Sequence, residues 1–328
     1  MMSWQWLIPW KHRSPVGKAR PSYPARQDYP ARPGYPNADR LMPHDRVDIF
    51  DPALMQYGGA FRKGDPVFDD MDAQSRWQTA RDAAMAHMLR IIEGSPWKTN
   101  LVLRGSFLLK AWLGNDARPP KDIDWVVIPK SMTTTSEDAR DMMDGIIDRV
   151  SQNPSADLAM IDAKGAVRDA IWTYERADGM RITFPWKARD LPEGTIQMDF
   201  VFGEALWTPS VPTSLLLSGG APISLLAATP ELSLAWKLLW LLTDWYPQGK
   251  DLYDATLLAE RVVLPPYLIE CLAKHEDIAG LDGVKSLRVD WDNFAREYPW
   301  IQGSASEWFQ RFLVALERSP LPICISSA

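Results

Sequence analysis

The sequence predicts an α+β protein: a small mixed sheet with flanking helices, followed by a helical C-terminal domain. Three observations carry this expectation. Between residues 71 and 228, short apolar runs of strand length alternate with segments whose apolar residues recur at helical spacing. From residue 229 onward the helical spacing persists nearly to the end. The composition, 46% hydrophobic and 24% charged, is that of a globular chain. At 328 residues there is room for two modest domains, since domains commonly run to roughly 100–200 residues. The expected division is an N-terminal extension over 1–70, a core over 71–228 and a helical domain over 229–328.

Taken in order, "DDMDAQSRWQTARDAAMAHMLRIIEGS" reads as one helix, with Trp77, Ala84, Met85, Met88 and Ile92 on its apolar side and Gly94 as its stop. "NLVLRG" is a short buried strand, and "SFLLKAWLG" a helix opening at Gly105 and Ser106 and closing at Gly114. "DIDWVVIP" is a strand ended by Pro129. "TTSEDARDMMDGIIDRVSQ" is a helix with an acidic first turn, as its dipole prefers. "AIWTYERADGMRITFPW" reads as a hairpin turning at Asp178 and Gly179, because Asp-Gly favours the tight turn that joins two strands. "TIQMDFVFG" is a further strand. The helical region starts with Thr229 as N-cap and Pro230 in the first helical position, and Pro247 ends its first helix.

Composition also excludes several classes. No apolar stretch approaches the roughly 18 residues of a membrane span. With only Cys271 and Cys324 there is no disulfide framework and no Cys-x-x-Cys metal site, which suits a reducing cytoplasm. The apolar start "MMSWQWLIPW" lacks the features of a secretory signal. His12, His44, His87 and His275 are scattered, so no zinc site or His-based triad emerges, and His87 reads as structural. Most tryptophans, among them Trp112, Trp125, Trp236 and Trp240, sit beside other apolar residues and are explained by packing.

Charge is unevenly spread. Residues 1–40 hold seven Lys or Arg against Asp28 and Asp39, a net of +5, so the rest of a chain totalling −6 carries −11. The same stretch repeats Tyr-Pro at Tyr23, Tyr29 and Tyr35, and Pro at this density leaves extended chain. Two readings stand: a surface arm or linker, or a basic aromatic arm that touches nucleic-acid backbone and stacks on bases.

The chemistry concentrates in one place. Asp122 and Asp124 head an apolar strand, where residues i and i+2 face the same side about 6–7 Å apart. With 42 acidic residues in 328, chance alone supplies about five such acidic-x-acidic triples, so spacing is weak and context must decide. Asp70/Asp72 and Asp290/Asp292 share the spacing but lie in polar or helical surroundings. Two like charges at a strand's head call for a cation, and hard divalent ions such as Mg²⁺ take carboxylate oxygens together with phosphates. Two such ions could activate a hydroxyl and stabilise a leaving pyrophosphate. Asp199, alternating with Ile196, Met198 and Phe200, is the expected third carboxylate. Gly105 permits close backbone approach and its helix offers free N–H groups to a triphosphate, with Ser106 adding a hydroxyl. An ordinary strand-to-helix turn with a serine cap would look the same taken singly.

A Gly-Ser turn followed by Asp-x-Asp on the next strand resembles the polymerase-beta-type nucleotidyltransferase signature. Within that superfamily the chain resembles the AbiEii/AbiGii toxin nucleotidyltransferases, whose second motif reads Arg-x-Ser-x-Asp-Ile-Asp. Arg118, Asp122, Ile123 and Asp124 fall on it, with Pro120 in place of the serine. "LAWKLLWLL" supplies the family's helical lysine as Lys237, and "GKDLYDATLL" supplies Lys250, Asp251 and Asp254. The resemblance runs over roughly residues 95–260. Asp244 stands where the family often has arginine and Gln248 where it often has a basic residue, departures that bear on nucleotide grip and base choice.

The resemblance implies a polymerase-beta-like core and transfer of a nucleoside monophosphate from an NTP to an acceptor hydroxyl. Asp122, Asp124 and Asp199 would hold metal, a pair of Mg²⁺ ions in that superfamily's manner, with Asp199 alternatively the base. Gly105, Ser106 and Lys237 would grip the triphosphate, with Arg118 near it and Asp251 orienting the lysine. Read without the resemblance, Lys237 could snorkel to the surface, and Asp251 and Asp254 could be capping residues. The implied setting is a cytoplasmic type IV toxin–antitoxin or phage-defence toxin, with tRNA 3′ ends as acceptor and a cognate antitoxin as partner. A protein or small-molecule acceptor, and a non-catalytic binding module, remain as alternatives.

Overall fold

A computed structural model of the chain describes residues 48–50, 61–173, 177–217, 220–244, 247–275, 278 and 281–320. The basic Tyr-Pro segment over residues 1–40 lies outside them. The described residues up to Ser233 form one compact unit and those from Leu234 onward another.

In the first unit, β1 (Asp48–Phe50) and β2 (Phe61–Lys63) form a separate antiparallel pair. Helix α1 (Met71–Glu93) opens on Asp70, whose carboxylate accepts the backbone N–H groups of Asp72 and Ala73, and stops at Gly94. It buries Trp77, Ala84, Met85, Met88 and Ile92. Next come β3 (Leu101–Arg104), α2 (Ser106–Leu113), β4 (Asp122–Val127) and α3 (Glu137–Gln152). They are followed by β5 (Ser155–Ala156), β6 (Ala159–Ile161), β7 (Val167–Thr173), β8 (Ala177–Lys187), β9 (Gly194–Val201), β10 (Val211–Leu215) and β11 (Ile223–Ala227).

Nine of these strands form one mixed sheet in the order β10-β11-β3-β4-β9-β8-β6-β5, with β7 also paired to β8. Strand β4 therefore sits centrally, antiparallel to β3 and parallel to β9. Its alternation separates apolar from acidic side chains. Ile123 and Trp125 are fully buried, whereas Asp122 and Asp124 on the other face are half-buried. Each buried large apolar side chain contributes roughly 1.5–3 kcal/mol, so a one-residue slip of register, which would exchange the two faces, is strongly disfavoured.

Two features differ from the sequence reading. Strands β7 and β8 pair antiparallel, but Thr173 stands opposite Ala177 and Trp172 opposite Asp178, which puts Asp178 and Gly179 inside β8. Gly179 serves close packing instead: a Cβ there would lie 2.8 Å from Ile171 Cγ1 and 3.1 Å from the Phe200 carbonyl oxygen. The sheet also extends further than expected, through β5, β6, β10 and β11. Edge strand β10, "VPTSL", is mostly exposed and carries Pro212, so it shows no clean apolar alternation.

The helical unit contains most of α4 (Pro230–Thr243), with α5 (Gly249–Ala259), α6 (Pro266–Ala273), α7 (Trp291–Glu297) and α8 (Ala305–Leu316). The Thr229 hydroxyl caps α4 by accepting the Leu232 N–H at 3.2 Å. Tyr253 of α5 packs its ring against Phe294 of α7 and Trp308 of α8. Helix α8 opens on a capping box made by Ser304 and Glu307. No described helix is long and apolar enough to cross a membrane.

Candidate active site

The strand register assembles the acidic residues. Asp124 on β4 stands opposite Asp199 on the parallel neighbour β9, and opposite Arg104 on β3. Asp199 in turn stands opposite Arg181 on β8, and Arg181 opposite Asp169 on β7. Paired residues in a sheet project to the same face. One row across five strands therefore reads Arg104, Asp124, Asp199, Arg181, Asp169. Asp122, two residues before Asp124, shares that face and pairs with Gln197.

The turn into α2 closes over this row. Gly105 has φ 78° and ψ −155°, a conformation open essentially to glycine alone. A Cβ on it would lie 2.1 Å from Asp124 Oδ2, so the backbone lies directly against that carboxylate. The buried Ser106 hydroxyl donates to Asp122 Oδ1 at 3.3 Å. Strand β3, turn and helix α2 thus bring the free N–H end of a helix to the head of β4. Arg118 is buried in the segment that leads into β4.

Asp199 is held on its other side. Arg181 Nε donates to Oδ1 and Nη2 to Oδ2, both at 2.7 Å, and both residues are buried. This fork geometry is among the strongest charge-assisted pairings. Arg104, also buried, reaches Glu204 at 3.5 Å.

An all-oxygen donor set of three carboxylates on one face of adjacent strands, two of them in register and a glycine cradle beside one, suits a hard divalent cation. Among the described residues, however, no group of three or more His, Cys, Asp and Glu side chains is drawn together as a metal site. Both oxygens of Asp199 face Arg181, so a cation completing such a set would share at least one of them with the guanidinium.

Lys237 and Asp251 belong to the helical unit. Lys237 Nζ lies 2.6 Å from Asp251 Oδ1 and 2.9 Å from Asp254 Oδ2. Asp251 and Asp254 project from one face of α5, three residues apart. All three side chains are nearly excluded from water, at 4%, 1% and 1% exposure. The ammonium also lies 5.1 Å from the Trp240 ring centroid. Lys237 therefore does not snorkel to the surface.

Sequence reasoning passed over Arg181, Arg104 and Asp169. The signal for Arg181 was present, since it interrupts an apolar run between Met180 and Ile182 much as Asp199 does between Met198 and Phe200. Its pairing with Asp199 needs the β8–β9 register, which no local pattern supplies. His87 Nε2 lies 2.7 Å from the Asn153 carbonyl oxygen.

Comparison with known proteins places the chain in a family. No curated protein matches the chain. A solved structure from H. pylori, described provisionally as a nucleotidyltransferase, aligns at 16% identity with a TM-score of 0.41, over 75% of this chain and 93% of that one. The family described as "Nucleotidyl transferase AbiEii toxin, Type IV TA system" matches residues 87–300, well over half of the chain and including every site residue above. The chain therefore belongs to the AbiEii family of nucleotidyltransferase toxins of type IV toxin–antitoxin systems.

Proposed function

We propose that the chain transfers a nucleoside monophosphate from an NTP to a hydroxyl at a tRNA 3′ end, in a divalent-metal-dependent reaction in the cytoplasm. The observation that carries the reading is the register of Asp124 with Asp199, with Asp122 on the same face and Gly105 against Asp124. The acceptor oxygen attacks the α-phosphorus, the bond to the β-phosphate oxygen breaks, and pyrophosphate leaves. Asp122, Asp124 and Asp199 would hold the cation, with Asp199 alternatively taking the acceptor's proton. Divalent ions bound there would neutralise the triphosphate and the leaving pyrophosphate. Ser106 and the first N–H groups of α2 supply donors for phosphate oxygens. Lys237, oriented by Asp251, is assigned a phosphate contact, and Arg118 a position near the nucleotide.

In this reading the chain is the toxin of a pair, its partner a cognate antitoxin, in a phage-defence setting. The +5 charge of residues 1–40 supports an RNA acceptor, since phosphate backbones are gathered by such segments.

The test is incubation of the full chain with Mg²⁺ and each α-labelled NTP in turn, against total tRNA and total protein. Label in tRNA that vanishes in an Asp122→Ala/Asp124→Ala double variant is the expected result. Label in protein would replace the acceptor and keep the chemistry. NTP binding with no product in any arm would overturn the reading.

A further inference from the structure

Arg181 has no part in the reaction as described, yet it holds the carboxylate on which the reaction turns. A buried guanidinium needs an anion, because an uncompensated buried charge is costly. Arg181 takes Asp199, contacting both oxygens at 2.7 Å. It is also in register with a second carboxylate on its far side, Asp169 of β7, buried on the same face. On the opposite side of Asp199 stands Asp124. The row thus sets one guanidinium between two carboxylates, and one of those carboxylates between a guanidinium and a like charge.

From this arrangement we infer that Arg181 is a positioning residue whose guanidinium competes with the divalent cation for Asp199. The inference rests on the assignment of Asp199 as a metal ligand. Without a cation, Arg181 neutralises Asp199 next to Asp124 and fixes its rotamer. A cation held by Asp122 and Asp124 draws on an oxygen of Asp199 that Arg181 already engages, so the two positive groups oppose each other. Asp169 is the anion toward which Arg181 turns as Asp199 is shared. Arg181 thereby weakens metal binding while keeping Asp199 in the geometry the chemistry requires, and Asp169 tempers the competition.

The variants have opposite signs. Mn²⁺ is titrated alone into the full-length chain and free ion is followed by electron paramagnetic resonance. Arg181→Gln is expected to tighten Mn²⁺ binding by about fivefold or more, the low end of coupling between linked sites. Arg181→Lys, with the charge but not the fork, falls between it and the wild type. Asp169→Asn, which leaves Arg181 wholly to Asp199, weakens binding. In NTP turnover, Arg181→Gln lowers kcat by about 10²-fold with little change in KM, as for a displaced catalytic group.

A merely structural Arg181 would lower the melting temperature and leave Mn²⁺ affinity alone. Folded Arg181 variants with wild-type affinity overturn the inference. Should Arg181→Gln not fold, Arg181→Lys decides; should neither fold, unchanged affinity in Asp169→Asn overturns it. Asp199→Asn separates this from the functional reading. If it leaves Mn²⁺ affinity untouched, Asp199 is no ligand and that assignment fails. If it weakens binding while the Arg181 and Asp169 variants do nothing, only the competition fails.

Discussion

The sheet row and the helical cluster both bury carboxylates against cations, but they balance charge differently. Across the sheet, Asp124 and Asp199 stand between Arg104 and Arg181, and Asp122 and Asp124 keep partial access to water. In the helical unit the Lys237 ammonium contacts both Asp251 and Asp254, nearly dry, and Asp251 Oδ2 accepts no hydrogen bond. The first arrangement offers its carboxylates alternative partners, and two of them reach water. The second is a closed contact whose members depend on one another. Half-open carboxylates flanked by alternative partners suit chemistry; a dry triad suits fixing the position of its lysine.

The comparison is tested hardest at Lys237. Replacing it with Met takes the Lys237 ammonium from two buried carboxylates, so unfolding free energy measured in urea should fall by about 3–5 kcal/mol. Adding Asp251→Asn and Asp254→Asn removes the stranded charges and should restore much of that loss, with nucleotidyl transfer still absent. A Lys237→Met protein as stable as the wild type would show the cluster to be wetter and looser than its burial implies.

Asp124→Asn probes the other half. The expected loss is about 10²–10³-fold in kcat, the cost of removing one preorganised electrostatic group. Stability should change by less than about 1 kcal/mol, because the substitution also relieves the like charge on Asp199. Pyrophosphate release and urea unfolding on the same preparation read both quantities. A loss of several kcal/mol would make the sheet row a structural lock like the helical one, and the contrast between the two would collapse.

Gly105→Ala lies between site and scaffold. A side chain at φ 78° and ψ −155° costs about 1–3 kcal/mol of strain, and its Cβ meets Asp124 Oδ2 at 2.1 Å. The carboxylate must move, so activity should fall by more than the strain alone predicts. A variant that loses stability and keeps full kcat would separate the glycine from the carboxylate it touches.

Much of this arrangement could be read along the chain. Asp122, Asp124 and Asp199 were visible because a charge inside an apolar strand demands a reason, and Gly105 because it opens a helix directly after a strand. What could not be read is pairing. Nothing local says that Asp199 lands opposite Asp124, or that Arg181 then closes on Asp199, because register between distant strands is set by the whole sheet. Asp-Gly at 178–179 misled for the same reason: its turn chemistry was overridden by the close approach of Ile171 and the Phe200 backbone. Strand β10 escaped because a half-exposed edge carries no strict alternation. The decoy Asp-x-Asp pairs proved informative in another way, since Asp70 and Asp290 each cap a helix.

Asp290 therefore offers the gentlest test, a motif of the same spacing that caps a helix instead of heading a strand. Its carboxylate accepts the Asn293 N–H at 3.0 Å, and its pKa is raised, chiefly because burial disfavours the charged form. A raised folded-state pKa means the native state binds the proton more tightly than the unfolded chain does. The resulting stabilisation is complete below the unfolded pKa and is lost as pH rises through the folded one. At pH 7 the ionised cap carries a desolvation cost that an amide would not. Asp290→Asn keeps a good N-cap acceptor and drops the charge, so it should give a small gain in stability at pH 7. That gain should shrink as pH falls through the carboxylate range, with nucleotidyl transfer unchanged throughout. Urea unfolding at pH 7 and in mild acid reads the sign. A gain independent of pH would mean that burial of the charge is not its source, and a loss of transfer would mean that Asp-x-Asp at a helix cap does more than the spacing alone implies.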